Sequence, residues 1–157
     1  WLQNRNGTVE KIRLNDDFSE TIGEPTVMFR ASESPWSRET TDDGKVKPNM
    51  VTDGPFLFNT TNGRLGIIWT SWIGDVYTQG VAYSLSSTLD GPWIQEPEPV
   101  TPPNFGHGMI FTTFDGRTLM AIHSHQRLGQ ERVVRIPHFF TVSLKGNSLK
   151  VLQEFKP

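Results

Sequence analysis

The 157-residue chain carries 15 basic and 17 acidic residues, a formal net charge of -2, and no cysteine. Its charges are scattered rather than clustered, which argues against nucleic-acid binding, and without cysteine it has no disulfide framework, thiol nucleophile or thiolate metal site, although that leaves the compartment undetermined. No apolar run approaches the roughly 20 residues of a membrane-spanning helix, so no membrane partner is expected.

Taken in chain order, the apolar pattern is that of a turn-rich all-β protein: short alternating or continuous runs, broken by Gly, Pro, Asn and Asp, with almost no helical periodicity. Strands are predicted at Thr8–Leu14, Pro25–Arg30, Pro55–Asn59, Leu65–Ser71, Gln79–Ser84, Trp93–Glu96, Met109–Thr113, Leu119–Ser124, Val133–Phe140 and Leu149–Gln153. Between them, Thr61-Asn62-Gly63, Phe114-Asp115-Gly116 and Lys145-Gly146-Asn147 suit the positive φ of tight hairpin tips. Glu39–Pro48 is polar and reads as an exposed loop that rims whatever site the fold builds. Asn6-Gly7-Thr8 and Asn59-Thr60-Thr61 are N-glycosylation triplets of a kind common by chance.

A repeat runs through the second part of the chain. Gly54-Pro55-Phe56-Leu57-Phe58, Asn62-Gly63-Arg64 and Ile67-Ile68-Trp69-Thr70-Ser71 are echoed by Gly108-Met109-Ile110-Phe111, Asp115-Gly116-Arg117 and Met120-Ala121-Ile122-His123-Ser124. The offset of about 53 residues is that of a four-stranded propeller blade. The predicted organisation is therefore the second half of a blade over 1–35, a loop over 36–50, a full blade over 51–100 and a further blade over 104–155. Trp1 aligns with Trp72, at the end of a second strand, so the chain is expected to begin in mid-blade. A propeller closes with four or more blades, which leaves about half of it outside this chain.

Two residues fall just before the first strand of successive units, Asp53 and His107. Their equivalent places would aim both side chains at the propeller axis. Taken singly, an Asp before Gly-Pro also suits a turn, and a lone His is more often a hydrogen-bonded core residue; the shared repeat position favours a joint functional role. His123 and His125, two apart on a strand, face the same way and would line the channel or, with a third ligand, hold a transition metal. Arg127 and Arg132 lie near a long loop at the channel rim. Of the five tryptophans, Trp69 and Trp93 are expected between blades, whereas Trp1, Trp36 and Trp72 would offer sugar an apolar platform.

The segments Val51-Thr52-Asp53-Gly54-Pro55-Phe56-Leu57, Gly91-Pro92-Trp93, Gly106-His107-Gly108-Met109-Ile110-Phe111 and Leu119-Met120-Ala121-Ile122-His123-Ser124 together resemble the C-terminal half of glycoside hydrolase family 43. The resemblance covers nearly the whole chain. It implies part of a five-bladed propeller, and an exo-type enzyme that hydrolyses arabinose- and xylose-containing plant polysaccharides with inversion. In that family one Asp activates water, a second orients the acid, and a Glu in a Glu-Gly-Pro motif protonates the leaving oxygen. Here Asp53 stands where that Glu is expected, one methylene shorter, so it is a variant acid, serves another role while a Glu elsewhere protonates, or marks an enzyme of weakened activity. The resemblance places His107 beneath the substrate, with room for a calcium ion near the axis held mostly by water; no cofactor is required. Trp36, Trp72, His123 and Arg127 complete the expected substrate contacts. The expected partners are a carbohydrate and either the missing N-terminal half of the propeller or a second copy. A secreted or periplasmic location follows from the same resemblance. The alternative is a non-catalytic carbohydrate-binding propeller fragment.

Overall fold

The computed structural model describes residues 7–42, 44–128 and 132–156. The described chain is all-β apart from one 3₁₀ turn at Ala31–Glu33. An antiparallel pair, β1 (Thr8–Leu14) and β2 (Thr21–Arg30), comes first. A small hairpin follows, β3 (Thr41–Asp42) and β4 (Lys45–Val46), so the segment expected as a plain loop carries a short ladder of its own.

Two four-stranded antiparallel meanders make up the rest. The first contains β5 (Asp53–Asn59), β6 (Leu65–Ile73), β7 (Val76–Ser84) and β8 (Trp93–Gln95). The second contains β9 (Phe105–Thr112), β10 (Thr118–Leu128), β11 (Arg132–Ser143) and β12 (Lys150–Glu154). Consecutive strands pair throughout, as in propeller blades. Gly63 and Gly116 hold φ of 79° and 85° at two of the hairpin tips, a conformation that L side chains adopt at a cost.

The sequence of β6 shows how the first meander is held. Its run Leu65-Gly66-Ile67-Ile68-Trp69 is apolar on both sides because the sheet is covered on both faces. Ile67 and Trp69 point towards β1 and β2, joining Val9, Phe29, Trp36 and Ala82. Ile68 points the other way, joining Val81 and Tyr83 of its own sheet with Met120, Ile122 and Phe140 of the next. Each such side chain contributes about 1.5–3 kcal/mol when fully buried. Two polar groups inside the layers are paired: the Trp69 indole N–H donates to Gln95 Oε1 at 3.0 Å, and the Leu149 N–H donates to the Tyr83 hydroxyl at 2.7 Å. In the second sheet, Ser124, His138 and Glu154 link three strands, with contacts of 3.0 Å from Ser124 Oγ to His138 Nε2 and 2.7 Å from His138 Nδ1 to Glu154 Oε1.

The far face of the second sheet differs. Met109 and Phe139, brought into line by their pairing with Ala121, are 50% and 39% exposed, and Phe111 touches Phe139 edge-on. That leaves an uncovered apolar sheet face where a closed propeller would carry a further blade.

Trp36 corrects one expectation. It is only 4% exposed, lies 4.7 Å from Trp69 between ring centroids, and rests directly on Gly80, so it is a core residue rather than a sugar platform. A β-carbon at Gly80 would run into the indole ring. Gly80→Ala should therefore cost about 1–3 kcal/mol of unfolding free energy, an overpacking penalty measurable by urea denaturation. An unchanged midpoint would mean that Trp36 does not pack there.

Candidate active site

Asp53, His107, Trp72 and Tyr77 gather at one end of the two meanders, where β5, β7, β9 and β11 begin and β6 and β10 end. Asp53 opens β5 opposite Thr70 on β6, with a register shift between Asp53 and Phe56. Gly54 has φ of 51°, and a β-carbon there would lie 2.8 Å from Cγ of His107. The Asp-Gly-Pro sequence is thus what lets β5 pass close under the His107 ring.

His107 is itself in the left-handed region, at φ 57°. For a residue other than Gly that conformation costs about 1–3 kcal/mol, and here it is fixed by the His107 N–H, which donates to Thr70 Oγ1 at 2.8 Å. The preceding Gly106 abuts Thr70 and Tyr77 so closely that any side chain would collide with both. The outcome is a direct contact: His107 Nδ1 lies 3.3 Å from Asp53 Oδ2. The two side chains are 53% and 42% exposed, so both are reachable from solvent.

Tyr77, 3% exposed, donates its hydroxyl to the same Oδ2 at 3.2 Å. Its ring is stacked on His125 at 4.0 Å and 9° and flanked by Trp72 at 5.0 Å; His123 lies 5.7 Å away. Trp72 is the direct partner of Tyr77 across the β6–β7 hairpin. Burial, reinforced by the charge of Asp53 and the hydrogen bond to it, pushes the Tyr77 phenol above its ordinary range, so the hydroxyl remains a donor at any working pH. Burial also lowers His123, to about 4, helped by the nearby His125, Arg135 and His107; His125 is lowered by burial and then by Arg135. Both imidazoles are therefore neutral near pH 7, and both Nε2 atoms are buried without a hydrogen-bond partner among the described residues.

The structure thus brings Asp53, His107, His123 and Trp72 to one place and removes Trp36 from it. Trp1 and the side chains of Arg127 and Arg132 lie outside the described residues. His123 and His125 stack with centroids 5.1 Å apart rather than converging on a point, and among the described residues no three His, Asp or Glu side chains come together as ligands. A hard cation beside His107 would have to be held by water and by groups from elsewhere. Tyr77, Thr70 and Arg135 were not legible as site residues. The available signals were Gly106, directly before His107, and the place of Tyr77 across a hairpin from Trp72.

The neutral histidine floor has a consequence for stability. An unfolded His123 takes up a proton near pH 6.5 and the folded one only near 4. The unfolded state therefore binds more protons between these values, and stability falls as pH drops through that window. Thermal unfolding from pH 7 to pH 4 should show a decline that His123→Phe makes shallower. An equal slope in the variant would contradict the burial of a neutral His123.

No family model and no curated protein matches the sequence. Solved structures do. An endo-arabinase from Bacteroides thetaiotaomicron VPI-5482 is 32% identical, with a TM-score of 0.72 over 87% of this chain and 47% of that one. A thermostable family-43 glycoside hydrolase is 18% identical, with a TM-score of 0.74 over 96% of this chain and 49% of that one. An endo-1,4-beta-xylanase from Bacteroides thetaiotaomicron VPI-5482 is 19% identical, with a TM-score of 0.72 over 90% and 48%. The chain spans about half the length of the chains it matches. The chain has the fold of about half of a family-43 glycoside hydrolase β-propeller.

Proposed function

We propose that this chain forms the acid-bearing wall of a glycosidase active site that cleaves arabinose- or xylose-type linkages of plant polysaccharides with inversion, and that Asp53 is its general acid. The observation that carries the proposal is the contact of Asp53 with both Tyr77 and His107 at one end of a glycosidase fold. Inversion requires an acid and a base on opposite faces of the sugar, roughly 6.5–9.5 Å apart, so that water fits between base and anomeric carbon. Asp53 is the carboxyl group in contact with Tyr77 and His107; in this proposal the base and the carboxylate that tunes the acid come from the rest of the propeller. That missing part also covers the exposed Met109 and Phe139 face. A second copy of this chain is the alternative cover.

In this proposal Asp53 reaches about one bond less far than Glu would. The leaving oxygen accordingly sits closer to the end of β5. His107 lies beneath the sugar, Trp72 supplies an apolar edge, and His123 backs the floor without touching substrate. Arg127 remains a proposed contact by its position near the end of β10. A polysaccharide substrate makes a secreted or periplasmic protein part of the same proposal.

The test is Asp53→Asn in the polypeptide that carries both halves of the propeller. Turnover of an arabinoside or xyloside with an unactivated leaving group should fall by about 10²–10⁴, the usual contribution of a positioned acid. Unchanged turnover would remove Asp53 from the acid role. Binding of oligosaccharide without hydrolysis by the unsubstituted protein would favour a carbohydrate-binding module.

A further inference from the structure

The acid assignment raises a question of reach and aim: a short Asp side chain on the end of a strand has two equivalent oxygens and a rotatable carboxyl group. The surroundings of Asp53 break that equivalence. The Tyr77 hydroxyl at 3.2 Å and His107 Nδ1 at 3.3 Å both address Oδ2. Oδ1 has no hydrogen-bond partner among the described residues. Resting on the acid assignment for Asp53, we infer that Tyr77 is a positioning residue: it holds Oδ2 and so leaves Oδ1 to carry the proton delivered to the leaving glycosidic oxygen.

The holder is built to stay still. Tyr77 is stacked on the His125 ring, abutted by Trp72, and packed against Gly106 and Thr70. Its single polar atom can move only by moving that stack. Tyr77 on β7 and His107 on β9 touch the Asp53 carboxyl, and its charge reaches His123 and His125 on β10. Arg135 on β11 acts electrostatically on Tyr77 and on these two histidines.

The proton inventory is closed. Water attacks the anomeric carbon and gives a proton to a carboxylate base on the rest of the propeller. The electron pair of the breaking C–O bond goes to the leaving oxygen, which takes the proton from Asp53 Oδ1. The carboxylate that forms is stabilised at Oδ2 by the Tyr77 hydroxyl. That hydrogen bond strengthens as charge develops, so it accelerates the step rather than tightening substrate binding.

The test compares Tyr77→Phe and Asp53→Asn, in the polypeptide carrying both halves of the propeller, on two glycosides of one sugar. One has a leaving group that departs without a proton, such as 2,4-dinitrophenolate, and the other is an unactivated alkyl glycoside. Tyr77→Phe should lower kcat on the alkyl glycoside by about 10–100-fold, on the scale of a misplaced catalytic group, with KM within about twofold. On the dinitrophenyl glycoside it should stay within about twofold, which also certifies that the variant is folded. Equal losses on both substrates, or no loss on either while Asp53→Asn still abolishes alkyl-glycoside turnover, would overturn the role of Tyr77 and leave the acid assignment standing. Equal loss on both glycosides in Asp53→Asn, or no loss on either, would overturn the acid assignment itself.

Discussion

The close approach of β9 to β6 and β7 is the constraint on which the site depends. At Gly106 the strand comes so near Thr70 and Tyr77 that no side chain fits, and at His107 the backbone turns into the left-handed region. The hydrogen bond from the His107 N–H to Thr70 Oγ1 locks that turn. Because β9 belongs to the second meander and β6 and β7 to the first, this one approach fixes the two sheets relative to each other. It also delivers His107 to Asp53, which lies 54 positions earlier in the sequence. A looser junction would leave the two side chains on separate blades.

The junction rests in turn on the core behind it. Ile68 and Val81 pack against Met120 and Ile122 across the same interface, a dry layer with every one of these four side chains at most 5% exposed. Close packing transmits position: a strand end held by such a layer cannot drift by an ångström without opening a void. The site therefore has the usual arrangement of a rigid apolar seam carrying a polar rim. The rim itself is held by stacking, with Tyr77 between Trp72 and His125, and by imidazoles that burial keeps neutral. Neutrality matters for the chemistry. A charged floor of three histidines would oppose protonation of a neighbouring acid, whereas His123 and His125 add no positive charge near pH 7.

The blade pattern was legible in the sequence because strand order, hairpin tips and the repeat are local properties. The strand ends at the site were not. The predicted strands began at Pro55, Gln79 and Met109, whereas β5, β7 and β9 start at Asp53, Val76 and Phe105, and β10 runs on past Ser124 to Leu128. These extra residues lie at the site end, where Asp, Tyr, His and Arg interrupt the apolar alternation that marks a strand. Function and strand signal compete there for the same positions. The repeat places Asp53 and His107 equivalently, and in the fold their side chains lie 3.3 Å apart. Tyr77 was missed because its role comes from a contact between strands that no periodicity encodes. The burial of Trp36 is hidden from the sequence for a similar reason: only the bare backbone at Gly80 shows that the indole has a place to pack.

The central claim is that Asp53 presents Oδ1 to the scissile bond while Tyr77 and His107 hold Oδ2. A crystal structure of the complete propeller with a bound arabino- or xylo-oligosaccharide tests it most directly. The account predicts a glycosidic oxygen within about 2.6–3.2 Å of Asp53 Oδ1, the reach of a general acid, with the Tyr77 hydroxyl still on Oδ2. A glycosidic oxygen held by another carboxyl group, with Asp53 turned away from the sugar, would contradict it.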